Sequence, residues 1–139
     1  MNNIPVITST TVLSALMEKH KYDVCVPECK TGETWTAHGC PRMDLWVMAR
    51  SWAHPRTIGY EIKVSRQDFL HDNKWPQYLD YCKEFYFACP RGVIDPGELP
   101  AEAGLLVLSG TRMIVKKKAP VRSVEIPEKL YRYILMRRC

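Results

Sequence analysis

The sequence predicts an α/β protein, a mixed β-sheet flanked by helices, and three observations carry that expectation. Short runs of Val, Ile, Tyr and Phe recur between turn residues, as strands require. Segments with apolar residues at helical spacing alternate with those runs. A chain of 139 residues, 46% of them apolar, is long enough to bury one core and short for two, so a single domain over 1–139 is expected.

Thr8 to Lys21 reads as a helix. Ser9 or a neighbouring Thr can cap it, and Val12, Leu13, Leu16 and Met17 form its apolar stripe. Tyr22 to Glu28 reads as a strand and Lys30-Thr31-Gly32 as a turn. Met43 to Ala49 carries apolar residues for both faces, which places it inside the sheet. Arg50 to Thr57 contains His54-Pro55, and proline cannot donate to a ladder, so this segment links two strands. Ile58 to Val64 is the third strand, expected to pair with the second as an antiparallel hairpin. Then the period changes. Ser65 to Asp72 and Pro76 to Lys83 read as helical, with Ser65 as a cap and Asp68 in the first turn. Trp75, Tyr78, Leu79 and Cys82 fall at helical spacing and, with Tyr81, Phe85, Tyr86 and Phe87, are expected in the core. Phe85 to Cys89 is a short aromatic strand stopped by Pro90-Arg91-Gly92. A short helix near Glu98 to Ala103 leads to strands Leu105 to Ser109 and Met113 to Lys117. Pro127 begins a last helix with Leu130, Tyr131, Ile134 and Leu135 as its buried stripe.

Composition narrows the function classes. No stretch approaches the roughly 18 apolar residues of a membrane span. Met1-Asn2-Asn3-Ile4-Pro5 lacks a basic region followed by an apolar one, so a cytoplasmic protein without a membrane partner is expected. The net charge of +5 suits an anionic partner without demanding one. Lys116-Lys117-Lys118 with Arg122, and Arg132 with Arg137-Arg138, concentrate positive charge in the last quarter, as a solvated face or a phosphate-contacting one. The six cysteines are unevenly spaced in mostly apolar surroundings, so reduced thiols are expected rather than a disulfide framework.

The residues with most chemical content are Asp44 and the run Ile58-Gly59-Tyr60-Glu61-Ile62-Lys63-Val64. A strand has a side-chain period of two, so Glu61 and Lys63 share one face while Tyr60, Ile62 and Val64 share the other. Charges inside so apolar a run need a partner or a metal, because desolvating them is unfavourable. With Asp44 on the preceding strand, the pattern suits a divalent-metal site built on a hairpin. Mg²⁺ or Mn²⁺ takes oxygen ligands, which Asp44, Glu61 and the main-chain carbonyl of Ile62 would supply. Lys63 would stand near the attacking water and offset the charge that develops in phosphodiester hydrolysis. An amphipathic strand with a solvent-facing acid and lysine accounts for the same residue types.

The surrounding words add to this. Arg42-Met43-Asp44-Leu45-Trp46 and Gly59-Tyr60-Glu61-Ile62-Lys63-Val64-Ser65-Arg66-Gln67-Asp68-Phe69 resemble the PD-(D/E)XK nuclease motif. So do Asn73-Lys74-Trp75-Pro76-Gln77-Tyr78-Leu79-Asp80-Tyr81-Cys82 and Phe85-Tyr86-Phe87-Ala88-Cys89-Pro90. More narrowly, these runs are similar to the small MmcB-like DNA-repair family and its phage relatives, over roughly residues 42 to 109. The bare motif has little specificity; the extended run through Pro90 has much more. The resemblance implies a restriction-endonuclease-like fold and a metal-dependent DNA endonuclease, with Asp44 and Glu61 as metal ligands and Lys63 as the catalytic lysine. Met43 stands where the motif has proline, a departure these relatives commonly share.

Many members of this superfold place another acid on the first helix or strand. Glu28 is preferred here over Glu18, because it ends a strand that should neighbour Asp44. Lys30, Ser65, Arg66 and Lys74 are the candidate DNA contacts, through lysine charge and the helix N-terminus; Arg66 has an ion pair with Asp68 or Glu84 as its alternative use. Cys25, Cys29, His38 and Cys40 are a weaker candidate for a structural Zn²⁺. A homodimer would bring two sites to two strands. Rival readings are a catalytically silent nucleic-acid-binding or adaptor module on the same fold, and a zinc-stabilised interaction protein.

Overall fold

The computed structural model describes residues 6–31 and 41–138. Its centre is one six-stranded sheet in the order β1-β2-β3-β4-β5-β6, formed by Val24–Lys30, Arg42–Met48, Thr57–Ile62, Glu84–Pro90, Ala103–Ser109 and Arg112–Lys117. β1, β2 and β3 make an antiparallel meander, β4 and β5 are each parallel to their predecessor, and β6 returns antiparallel. The helices are α1 (Ser9–Lys19), α2 (Arg66–His71) and α3 (Glu128–Arg138), with 3₁₀ segments at Trp75–Tyr81 and Pro96–Glu98. The architecture is the expected α/β one, a mixed sheet flanked by helices, and it is consistent with a restriction-endonuclease-like fold.

Two apolar layers hold it together. On one face Val12 and Leu16 of α1 pack on Leu45, Val47, Ile58, Tyr60, Tyr86, Ala88, Leu106 and Leu108. On the other, Trp46, Phe85, Phe87, Leu105 and Val107 receive Tyr78, Cys82, Leu130 and Ile134. β4 is buried along its whole length because both faces are covered and both edges are paired in parallel. Burying each such aromatic or aliphatic side chain stabilises the fold by roughly 1.5–3 kcal/mol. Thr8 caps α1 through its side chain, which accepts from Thr11 N–H.

Beneath α1 lies a buried polar group. His20, 5% exposed, has Nδ1 at 2.8 Å from Asp23 Oδ2 and Nε2 at 2.6 Å from the Tyr60 hydroxyl. With Asp23 accepting the Nδ1 proton, Nε2 accepts from Tyr60. Burial holds the imidazole below its usual pKa.

Several elements differ from the sequence expectation. The first strand starts at Val24 and runs through Lys30, which pairs with Arg42 instead of forming a turn; Gly32 lies outside the described residues. Pro76 to Lys83 is a 3₁₀ segment, Trp75–Tyr81, and the eclipsed i,i+3 geometry sets both Trp75 and Tyr78 on the Phe85 ring. The helix expected near Glu98 to Ala103 is a single 3₁₀ turn, Pro96–Glu98, closed by an Asp95–Glu98 capping box; Pro100 cannot donate to a longer helix. In α3, Leu130 and Ile134 are buried but Leu135 is 65% exposed and Tyr131 36%, because the helix meets the sheet along a narrow line near β1. Met17 of α1 is likewise at the rim of its stripe, and Tyr81 is half-buried.

Candidate active site

The site forms where the β2–β3 ladder stops. Leu45 pairs with Tyr60 and Trp46 with Gly59, so Asp44 and Glu61 fall at the next opposed position. There the main-chain amides turn to carboxylates. Asp44 N–H donates to Glu61 Oε1 at 3.1 Å, and Ile62 N–H donates to Asp44 Oδ2 at 2.7 Å. Each acid thus holds the strand that carries the other. One oxygen of each is committed to the main chain, which fixes the direction of both carboxylates.

Gly59 leaves room beside the pair. Met43 Sδ and Cys82 Sγ fill the space a Cβ would occupy at that position, so their side chains settle onto the sheet just below the acids. On its other side β3 stays in register with β4 through Glu61–Phe87 and Ile62–Ala88, and Lys63 N–H continues that ladder to Ala88 O at 2.9 Å. Tyr60 and Ile62 turn toward α1, while Glu61 lies on the opposite face beside Lys63.

Lys63 stands between two acids. Its Nζ is 4.0 Å from Glu61 Oε2 and 2.8 Å from Asp72 Oδ2. The Lys63, Glu61 and Asp72 side chains are 13%, 10% and 6% exposed. Asp72 follows α2, and its Oδ1 accepts from Lys74 N–H at 2.8 Å and Trp75 N–H at 3.2 Å. It therefore opens the 3₁₀ segment with one oxygen and clasps Lys63 with the other. Sequence reasoning missed this residue. The available signal was the Asp-x-x-Trp-Pro order, an acid able to accept from amides two and three residues on, just before a proline.

Burial pushes the Glu61 carboxyl well above its usual pKa, and the neighbouring Asp44 charge adds to the effect. Burial also raises Asp44; Asp72 and Glu28 raise it further, whereas the Ile62 amide and Lys63 oppose the shift. Two adjoining carboxyl groups that resist carrying their charges are suited to a cation. Both are hard oxygen donors, and the chemistry matches Mg²⁺ or Mn²⁺, which commonly take one or two carboxylates along with waters. Among the described residues no three acidic, histidine or cysteine side chains gather round one point, so a third protein ligand would come from the main chain. Ile62 enters the site by its N–H, on Asp44.

Glu28 lies opposite Asp44 in the β1–β2 register, between the pairs Pro27–Leu45 and Cys29–Met43. It is exposed and its φ of 48° is left-handed, so β1 bends there. Glu18 is elsewhere: it lies on α1, 3.5 Å from Lys21, beside a cleft shared with β6. Lys30 is two residues past Glu28 on the same strand. Ser65 caps α2, its hydroxyl accepting from Asp68 N–H at 3.2 Å. Lys74 is exposed beyond Asp72. Arg66 pairs neither with Asp68 nor with Glu84. Its guanidinium makes two 2.7 Å bonds to Glu98 and one of 3.1 Å to Val93 O, tying α2 to the loop after β4. Glu84 instead takes Arg56, at 2.5 and 3.0 Å.

Of the candidate zinc set, His38 and Cys40 lie outside the described residues. Cys25 and Cys29 pack into opposite faces of the sheet, which separates them as ligands of one ion. Cys82 and Cys89 are buried reduced thiols.

No curated protein matches the sequence. Among solved structures, the chain is similar to SPO1766, a protein of unknown function from Silicibacter pomeroyi. The TM-score is 0.66 at 21% identity, over 98% of this chain and 84% of that one. That likeness speaks to the fold. A family profile described as DNA repair protein MmcB-like matches residues 26–131, from the first strand into the last helix and across every residue of the carboxylate site. The chain belongs to the MmcB-like DNA repair protein family.

Proposed function

We propose that this chain is a metal-dependent DNA endonuclease of the PD-(D/E)XK kind, serving DNA repair, recombination or phage DNA processing. The observation that carries the reading is the interlocked Asp44–Glu61 pair with Lys63 beside it, on the open end of a hairpin. The family description supports a role in DNA repair.

Asp44 and Glu61 would hold Mg²⁺ or Mn²⁺, which when bound polarises the phosphoryl oxygen and makes water a better nucleophile. The remaining work falls to the protein. The two main-chain amides hold both carboxylates in place before substrate arrives, so little reorganisation is needed during reaction. Lys63 presents an ammonium next to Glu61, where it orients water and offsets charge growing on the phosphate. Asp72 is a positioning residue: it fixes the Lys63 ammonium at 2.8 Å while anchoring the next segment. Glu28, across from Asp44 in the strand register, would take a proton from water. Lys30, Ser65 and Lys74 would supply charge or donors for phosphates; Arg66 reaches substrate only by leaving Glu98.

The test is incubation of linear, supercoiled, branched and single-stranded DNA with Mg²⁺ or Mn²⁺. Cleavage is expected on at least one substrate, falling at least 100-fold in Lys63→Ala and Glu61→Ala, a loss of the size seen when a charge-stabilising group is removed. Mn²⁺ should also raise the melting temperature of the wild type and not of Glu61→Ala. Cleavage unchanged in both variants would refute the assignment. Binding without cleavage on every substrate would favour the silent adaptor.

A further inference from the structure

The loop joining β2 to β3 carries Trp52, which is 104% exposed, at the end of the hairpin remote from the acids. An indole wholly in water is unusual for so large an apolar group. The loop that presents it is ordered: Ala49 N–H bonds Arg56 O at 2.9 Å, Ser51 N–H bonds Ala49 O at 3.0 Å, and His54 N–H bonds Ser51 Oγ at 3.0 Å. His54, in the same loop, lines a cavity of about 360 Å³ whose walls also include Arg56, Lys83, Glu84 and Lys118. Glu84 neutralises Arg56, but among the described residues Lys83 and Lys118 make no ion pair. Trp52 and His54 are two residues apart, within about 7 Å of chain. An exposed indole is therefore carried, by an ordered loop, within two residues of a cavity in which two lysines have no acidic partner among the described residues.

We propose that this end of the hairpin is a second nucleic-acid site, which takes single-stranded DNA or RNA. A base stacks on Trp52 and the flanking phosphates lie in the basin formed by His54, Lys83 and Lys118. Stacking on a side chain requires a base already out of the helix, so the site selects single strands over duplex. β3 separates it from the carboxylates: Thr57 is at the basin end and Ile62 at the acid end, about 17 Å apart. The site does not depend on the nuclease reading, because none of its residues takes part in the carboxylate cluster.

The test measures anisotropy of a labelled oligothymidine with the full-length protein in EDTA, so that metal and cleavage play no part. Wild type should bind it more tightly than duplex, with quenching of the exposed tryptophan emission. Trp52→Ala, a change at a wholly exposed side chain, should weaken binding about tenfold. Lys83→Ala with Lys118→Ala should lower the slope of log K against log salt by about 0.7 per lysine. Glu61→Gln should bind like the wild type. Unchanged affinity in Trp52→Ala, an unchanged salt slope, or polyglutamate binding as tight as oligothymidine would each overturn the proposal, the last by reassigning the surface to an acidic protein.

Discussion

Asp72 joins the site to the fold, and its two oxygens are separable by mutation. Breaking a buried ion pair by removing one partner costs about 3–5 kcal/mol, because the other charge is left uncompensated. Here Lys63 keeps a second oxygen neighbour, Glu61 Oε2 at 4.0 Å, and a little solvent contact, so the low end applies. Asp72→Asn leaves an oxygen to accept from Lys74 and Trp75 but removes the charge, and should destabilise by about 2–3 kcal/mol. Asp72→Ala also removes the acceptor of those two amides, adding about 1 kcal/mol. Urea unfolding followed by circular dichroism reads both, as midpoint shifts at constant slope. Asp72→Asn within about 0.5 kcal/mol of the wild type would refute the idea that this carboxylate holds the lysine; equal losses in the two variants would refute its capping role.

Three further outcomes are expected. Gly104→Ala should destabilise more than Gly59→Ala in the same urea assay. The new Cβ of Gly104 meets the Tyr86 ring and the main-chain Ala119 N at 2.6 Å, whereas that of Gly59 meets the movable side chains of Met43 and Cys82; overpacking of this kind costs about 1–3 kcal/mol or more. Because burial depresses His20, the fold keeps its imidazole neutral, and this contribution is fully present above the unfolded pKa of 6.5 and lost as pH falls through the lower folded value. Thermal melts from pH 7 to 5 should therefore show a steeper loss for the wild type than for His20→Asn. Glu61 has the opposite sign: its pKa is raised, so the unfolded chain ionises first and stability declines as pH rises. In metal-free buffer Glu61→Gln should therefore melt higher than the wild type at pH 8, by about 1 kcal/mol or more, with the gap closing toward pH 4.

The carboxylate pair and its lysine were legible because the sequence places them on consecutive strands of one hairpin. There the period of two and the hydrophobic pattern fix both face and register. The strands themselves were legible for the same reason, since Val, Ile and aromatic runs bounded by turn residues leave few alternatives. Asp72 was not, because its partner is nine residues back along the chain and the two meet only through the turn that follows α2. Nor was the Arg66–Glu98 pair, which joins α2 to the 3₁₀ turn after β4. In α3 the periodicity offered a stripe of four, and only the narrow contact with the sheet decides that Leu130 and Ile134 lie inside while Leu135 does not. Pro100 limits the helix expected near Glu98 to a single turn, because it has no amide to donate. Trp52 lies in the segment read as a link between strands, and that loop puts its indole in water.

The bend at Glu28 has a consequence for how the sheet opens. A side chain at a φ of 48° strains an L-residue by about 1–2 kcal/mol, a strain that glycine would relieve while surrendering the acid. Beyond that bend the outermost strand is fastened by the Cys29–Met43 and Lys30–Arg42 pairings and the Thr31–Pro41 bond. Deuterium uptake at the amides of Cys29, Lys30 and Thr31 should then outpace that of Cys25 and Val26, making this corner the first to fray on warming.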